Sequence, residues 1–184
     1  MKRMLNLAAG LDWFSQKTGQ VISWMTLIMV LIGAFNAIAR TLGRWVGVNL
    51  ASNALIEAQW YLFSLIFLFG AAYTLKHGGH VRVDVLYGRW TDKTKAWINL
   101  SGTLLFLIPF CLAMLWLCWP SVYDSWSVWE TSPDPAGLPR YPIKTCVMVA
   151  FILLTLQAIS EAIKSVAFLR GHLPSLTSAG EAPA

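Results

Sequence analysis

Two long stretches with almost no charge, Ala54 to Leu75 and Ala96 to Trp119, leave this chain few ways to fold. The first contains a single ionisable acid, Glu57, and the second contains no charged residue at all. Between them lies a short basic hinge, Lys76-His77-Gly78-Gly79-His80-Val81-Arg82-Val83-Asp84. About 20 apolar residues in a helix cross the roughly 30 Å hydrocarbon core of a bilayer. A helix also satisfies its backbone polar groups within one segment, which lipid requires. The pattern predicts two spanning helices joined by a polar turn.

Two further segments qualify. Thr18 to Ala39 is uncharged, and Pro142 to Lys164 has an uncharged centre with Lys144 and Glu161 near its ends, where long side chains reach the interface. The expected fold is an all-α integral membrane protein with four transmembrane helices at about 18–39, 54–75, 96–119 and 142–164. Composition agrees: 12% of the 184 residues are charged, against about 25% in a soluble domain. The division expected is an N-terminal segment at 1–17, a membrane domain at 18–170 and a disordered tail at 171–184.

Lys and Arg are unevenly shared between the two sides. Lys2, Arg3, Lys17, Lys76, Arg82, Arg89, Lys93, Lys95, Lys164 and Arg170 fall on one side; Arg40, Arg44, Arg140 and Lys144 fall on the other. The positive-inside rule then predicts both termini in the cytoplasm and the segment 120–141 outside. Met4 to Phe14, with Leu7, Leu11 and Phe14 at helical spacing, is expected as a short interfacial helix. Arg44 to Asn53 reads equally as a second such helix or a plain loop. Ala37-Ile38-Ala39 resembles a signal-peptide cleavage site, but the apolar run before it is too long and starts too deep, so an uncleaved span is expected.

Few residues offer chemistry. Glu57 is the one acid in the first three predicted spans, so it reads either as an ion-carrying site or as a structural pair, with Arg40, Arg44 or a partner subunit's residue. His77, His80 and Asp84 read as a weak metal cluster or as groups that cap and orient a helix end. Cys111, Cys118 and Cys146 read as apolar filler; the first two lie about 10 Å apart along one helix and cannot bridge. No triad, nucleotide loop or intramembrane histidine pair is present, so the chain does not read as an enzyme or a haem protein, and its scattered cations do not make a nucleic-acid surface. Gly33 with Ala37, Gly70-Ala71-Ala72, and Ser101 with Gly102 are expected at close helix contacts, and Pro109 is expected to kink the third span. Lys76, Arg82, Arg89 and Lys93 are candidates for lipid headgroup contact.

Glu57, Gly70-Ala71-Ala72-Tyr73 and Gly79-His80-Val81-Arg82-Val83-Asp84 together resemble the small membrane subunit of tripartite ATP-independent periplasmic (TRAP) transporters, the DctQ-like family, and Arg40 matches the arginine that closes its first helix. Trp126, Glu130, Ser132-Pro133-Asp134-Pro135, Gly137-Leu138-Pro139-Arg140, Lys144 and Gln157 are similar to the mannitol/chloroaromatic or 2-oxo acid type branch, with Ala136 standing where that branch usually has a second glycine. The resemblance implies a scaffold subunit that pairs with a large multi-span permease subunit and a periplasmic substrate-binding protein for sodium-driven uptake of an organic anion. It implies that sodium is held by the partner and that this chain has no cofactor. Arg40, Glu57, His80, Arg82 and Asp84 would then hold shape and subunit contacts. The loop with Asp124, Trp126, Glu130, Asp134 and Arg140 is a candidate dock for the binding protein. Rival readings are a membrane anchor of a redox complex, which wants intramembrane histidines, and a small self-assembling four-helix exporter, which wants an acid central in its first helix.

Overall fold

The computed structural model describes residues 2–47, 52–79 and 90–173. His80, Arg82, Asp84 and Arg89, and the tail beyond 173, lie outside them. The described residues form α1 (Lys2–Val46), α2 (Asn53–Lys76), α3 (Asp92–Gly102), a π-helical turn (Thr103–Leu107), α4 (Ile108–Ser127) and α5 (Tyr141–Leu169). With α3, the turn and α4 taken as one rod, four helices are long and apolar enough to cross a membrane. Each expected span lies within one of these rods.

Their lengths differ from expectation in two places. Met4 to Phe14 does not stand apart as an interfacial piece: α1 runs unbroken for 45 residues, about 67 Å, far more than a bilayer needs. The third rod does not stop at Trp119. It continues through Pro120 to Ser127, as proline is more often tolerated inside spanning helices than in soluble ones. Pro109 is the second residue of α4, directly after the π-helical turn, in which Ile108 N–H reaches back to the Thr103 carbonyl. The wider turn gives room where the proline ring would crowd the preceding carbonyls.

Packing centres on α5, which touches α1, α2, α3 and α4. Small residues set the close approaches, though not all of those expected. Gly33 faces Gln59, whose Nε2 would lie 2.5 Å from any added Cβ, and the buried Gly19 faces the Tyr73 ring. Gly70 and Gly102 have open space where a side chain would project. Both are expected from the sequence at helix contacts; among the described residues no atom lies within 4 Å of a Cβ added at either. Cys111 is fully buried, and all three cysteines are free.

A clasped loop and a buried polar network as the candidate functional site

Residues 128–140 close one end of the bundle. The loop starts where α4 ends in a Schellman turn: Glu130 N–H donates to the Ser125 carbonyl at 3.0 Å and Trp129 N–H to the Trp126 carbonyl at 3.4 Å. Gly78 and Gly171 occupy the left-handed position at the corresponding ends of α2 and α5, with φ of 61° and 73°. In the loop that position is held by Trp129 at φ 49°. Its ring packs on Tyr141 and Trp126, at centroid distances of 5.2 and 5.7 Å, which offsets the backbone cost.

The chain then folds into a small hairpin. Thr131 bridges Pro139, Ser132 N–H donates to the Leu138 carbonyl at 3.2 Å, and Arg140 N–H donates to the Glu130 carbonyl at 2.8 Å. At the tip, Gly137 N–H donates to the Asp134 carbonyl at 3.0 Å, with Pro135 and Ala136 between. Ala136 has φ 58°, so the turn has the type II pattern, whose third residue favours glycine.

Two carboxylates clasp this hairpin. Glu57, only 2% exposed, accepts from the Ser132 hydroxyl and from Leu138 N–H at 2.5 Å. The Ser132 oxygen also accepts from Asp134 N–H at 3.2 Å, so its single proton is directed to Glu57. A side chain at Gly137 would strike Ser132 and approach Glu57 Oε2 to 2.9 Å. Glu130 accepts from the Ser125 hydroxyl at 2.6 Å and forms an ion pair with Lys144. The Lys144 ammonium, then the Ser125 hydroxyl, hold the Glu130 carboxyl below the ordinary glutamate range, with the Lys144 and Arg140 charges acting in the same direction against partial burial. Asn53 and Tyr61 of α2 donate to the carbonyls of Pro135 and Pro139, both at 3.2 Å. Trp126 Nε1–H donates to Thr145 at 2.7 Å.

Of the partners considered for Glu57, neither Arg40 nor Arg44 forms an ion pair with it. Both arginines are exposed on α1, and no ion pair reaches Glu57 among the described residues. The carboxylate turns instead to a loop some eighty residues away in sequence. Of the candidate docking residues, Asp124 in the last turn of α4 and Asp134 in the hairpin are exposed, whereas Glu130 is committed internally and Arg140 is half-buried. Among the candidate headgroup ligands, Lys93 is exposed, while Lys76 donates to Gln16 at 2.9 Å and is partly buried. His77 caps α2: its backbone N–H meets the Tyr73 carbonyl, its Nδ1 lies 2.9 Å from the same oxygen, and its ring stacks on Tyr73.

The other end of the bundle holds a polar network that the sequence reading does not assemble. Asp12 Oδ1 accepts from Ser160 at 2.7 Å and from Gln157 at 2.9 Å; its Oδ2 accepts from Lys164 at 3.1 Å. Lys164 also donates to Glu161 at 2.5 Å, and Ser15 donates to Gln157 at 2.6 Å. The serine, the glutamine and Lys164 are buried. The only available signal was spacing: Asp12 and Ser15 fall on one face of α1, and Gln157, Ser160 and Lys164 on one face of α5.

Among the described residues no group of three or more His, Cys, Asp or Glu side chains could hold a metal ion. The geometry describes polar groups tied to one another at both ends, with apolar helix faces between.

Neither a curated protein nor a solved structure matches the chain. The family model described as "Tripartite ATP-independent periplasmic transporters, DctQ component" matches residues 29–168, well over half of the 184-residue chain. That span takes in Glu57, the clasped loop and the α5 half of the buried network; Asp12 and Ser15 precede it. The chain is thus a membrane protein that belongs to the DctQ component family of TRAP transporters.

Proposed function

We propose that the chain is the stationary brace of a TRAP transporter. It would pair with a large permease subunit and a periplasmic substrate-binding protein for sodium-driven uptake of an organic anion, such as a carboxylate or 2-oxo acid, across a bacterial inner membrane. One observation carries this reading: each buried carboxylate among the described residues is tied to donors of the chain itself. A solute or ion path needs polar groups free to exchange partners, and these are committed. Meanwhile large side chains such as Phe67, Phe106 and Trp116 face outward, at 71%, 75% and 78% exposure. They suit lipid and a larger membrane partner.

The exposed Asp124 and Asp134, and the exposed Trp126 and Trp129, support the end of α4 and the loop as the dock for the binding protein. The test is reconstitution in liposomes with and without the large subunit and the binding protein. The chain alone should give no uptake, and the full set should give uptake driven by a sodium gradient. Charge reversal of Asp124 and Asp134 together should raise the binding-protein concentration needed for half-maximal uptake. Uptake by the chain alone would overturn the brace reading.

A further inference from the structure

A groove of about 220 Å³ runs between the third rod and α5, beginning at the end of the bundle where α1 starts and α5 ends. Leu100, Leu104 and Ile108, four residues apart, line one side; Ile159, Ile163 and Val166 line the other. Both walls run along the helix axes for roughly 10–12 Å, from near the helix ends toward the middle of the bundle. Every lining residue is apolar, including Met4 from the first turn of α1 and the small Ala162. The volume is below the roughly 300–1,000 Å³ of pockets that enclose compact ligands. A narrow apolar slot parallel to spanning helices fits one alkyl chain.

The helix ends on this side carry exposed cations: Lys2 and Arg3 on α1, Lys93 on α3, and Arg170 after α5. Lys95 is excluded, being paired with Asp92. A second groove, of about 270 Å³, lies between α2 and α5 beside Phe63 and Phe67, but its one cation, Lys144, is held by Glu130. Of these two grooves, the first lies at the end of the bundle where the exposed cations of the helix ends stand.

We propose that this groove is a binding site for an anionic phospholipid, with an acyl chain between the third rod and α5 and the headgroup met by Lys2, Arg3 and Lys93. The site would brace the π-helical turn from the side that Leu104 faces. It does not depend on the transport reading, because lipid capture is measured without transport.

The full-length chain, with any membrane subunits that co-purify, is reconstituted with phosphatidylglycerol or phosphatidylcholine analogues that carry the same diazirine-bearing acyl chain. After irradiation, labelled peptides are mapped by mass spectrometry. Label should concentrate on the peptides holding Leu104 and Ile159 to Val166, with phosphatidylglycerol favoured roughly fivefold or more there and not at Phe67. Lys2→Glu with Arg3→Glu should erase the headgroup preference. Ala162→Phe should fill the slot and cut its labelling about fivefold without changing label at Phe67. Ile159→Trp tests the same point from the deeper end, so misfolding of one variant leaves the comparison intact. Equal labelling by the two lipids, label unmoved by both filling variants, or capture of another protein by a photoreactive residue at position 104 would each overturn the proposal.

Discussion

Ala136 and Gly137 are neighbours with opposite demands, and the Glu57 clasp depends on both. Ala136 takes the left-handed turn position that glycine occupies without strain, at φ 58°. Ala136→Gly should therefore stabilise the loop, by up to about 1 kcal/mol before the added freedom of the unfolded chain is subtracted. Gly137→Ala should do the reverse. A methyl there meets Ser132 and Glu57, so the clasp must open, at a cost of about 1–3 kcal/mol. Thermal unfolding in detergent, scored with limited proteolysis of residues 128–140, separates the two; equal melting of both variants with the parent would refute the clasp. The sequence made Glu57 conspicuous as the lone acid of the first three spans and Ala136 as a missing glycine. It could not pair Glu57 with Ser132 and Leu138, because hydropathy and spacing are local signals and these contacts cross 75 and 81 residues.

Elements were legible to the extent that lipid dictates them. All four spans could be read from apolar length, since that constraint acts on each segment separately. The reach of α1 and α4 could not, because partners set it: Asp12 and Ser15 hold the first turns of α1 against α5, and Ser125 and Trp126 tie the last turn of α4 to the loop and to α5. The tie between α1 and α5 makes a graded prediction. Lys164→Met should be the most damaging change, at about 3–5 kcal/mol, because it leaves both Asp12 and Glu161 without their ammonium in a buried site. Asp12→Ala should cost less. Asp12→Asn should cost least, since its carbonyl can still accept from Ser160 or Gln157. Melting temperatures in one detergent should follow that order; a harmless Lys164→Met would remove the network from any role in stability. The loop has its own dependence on pH. The folded Glu130 carboxyl titrates below the ordinary glutamate range, so its stabilising contribution is fully present above that range and is lost as pH falls through the depressed value. Fluorotryptophan NMR signals of Trp126 and Trp129 should shift in that acidic window, and Glu130→Gln should abolish the transition.

At the scale of the molecule, polar material is sorted to two ends and the middle is left to apolar packing around α5. The start of α1 and the ends of α2 and α5 meet through Asp12, Gln16, Lys76 and Lys164, and the groove brings the start of the third rod to the same end. The start of α2, the end of α4 and the start of α5 meet at the hairpin. This arrangement makes orientation a single choice, because no helix can be reversed without separating those contacts. The positive-inside rule predicts which: of the 12 Lys and Arg residues among those described, Arg40, Arg44, Arg140 and Lys144 lie toward the hairpin end. Lys144 is moreover neutralised by Glu130. The termini should therefore face the cytoplasm and the hairpin the opposite side. In a variant with Cys111, Cys118 and Cys146 replaced, Asp134→Cys should react with a membrane-impermeant maleimide in intact spheroplasts. Lys93→Cys, exposed at the other end, should react only after permeabilisation. The reverse pattern would turn the whole bundle over, taking the hairpin away from any periplasmic partner and placing the cation-ringed groove in the opposite leaflet.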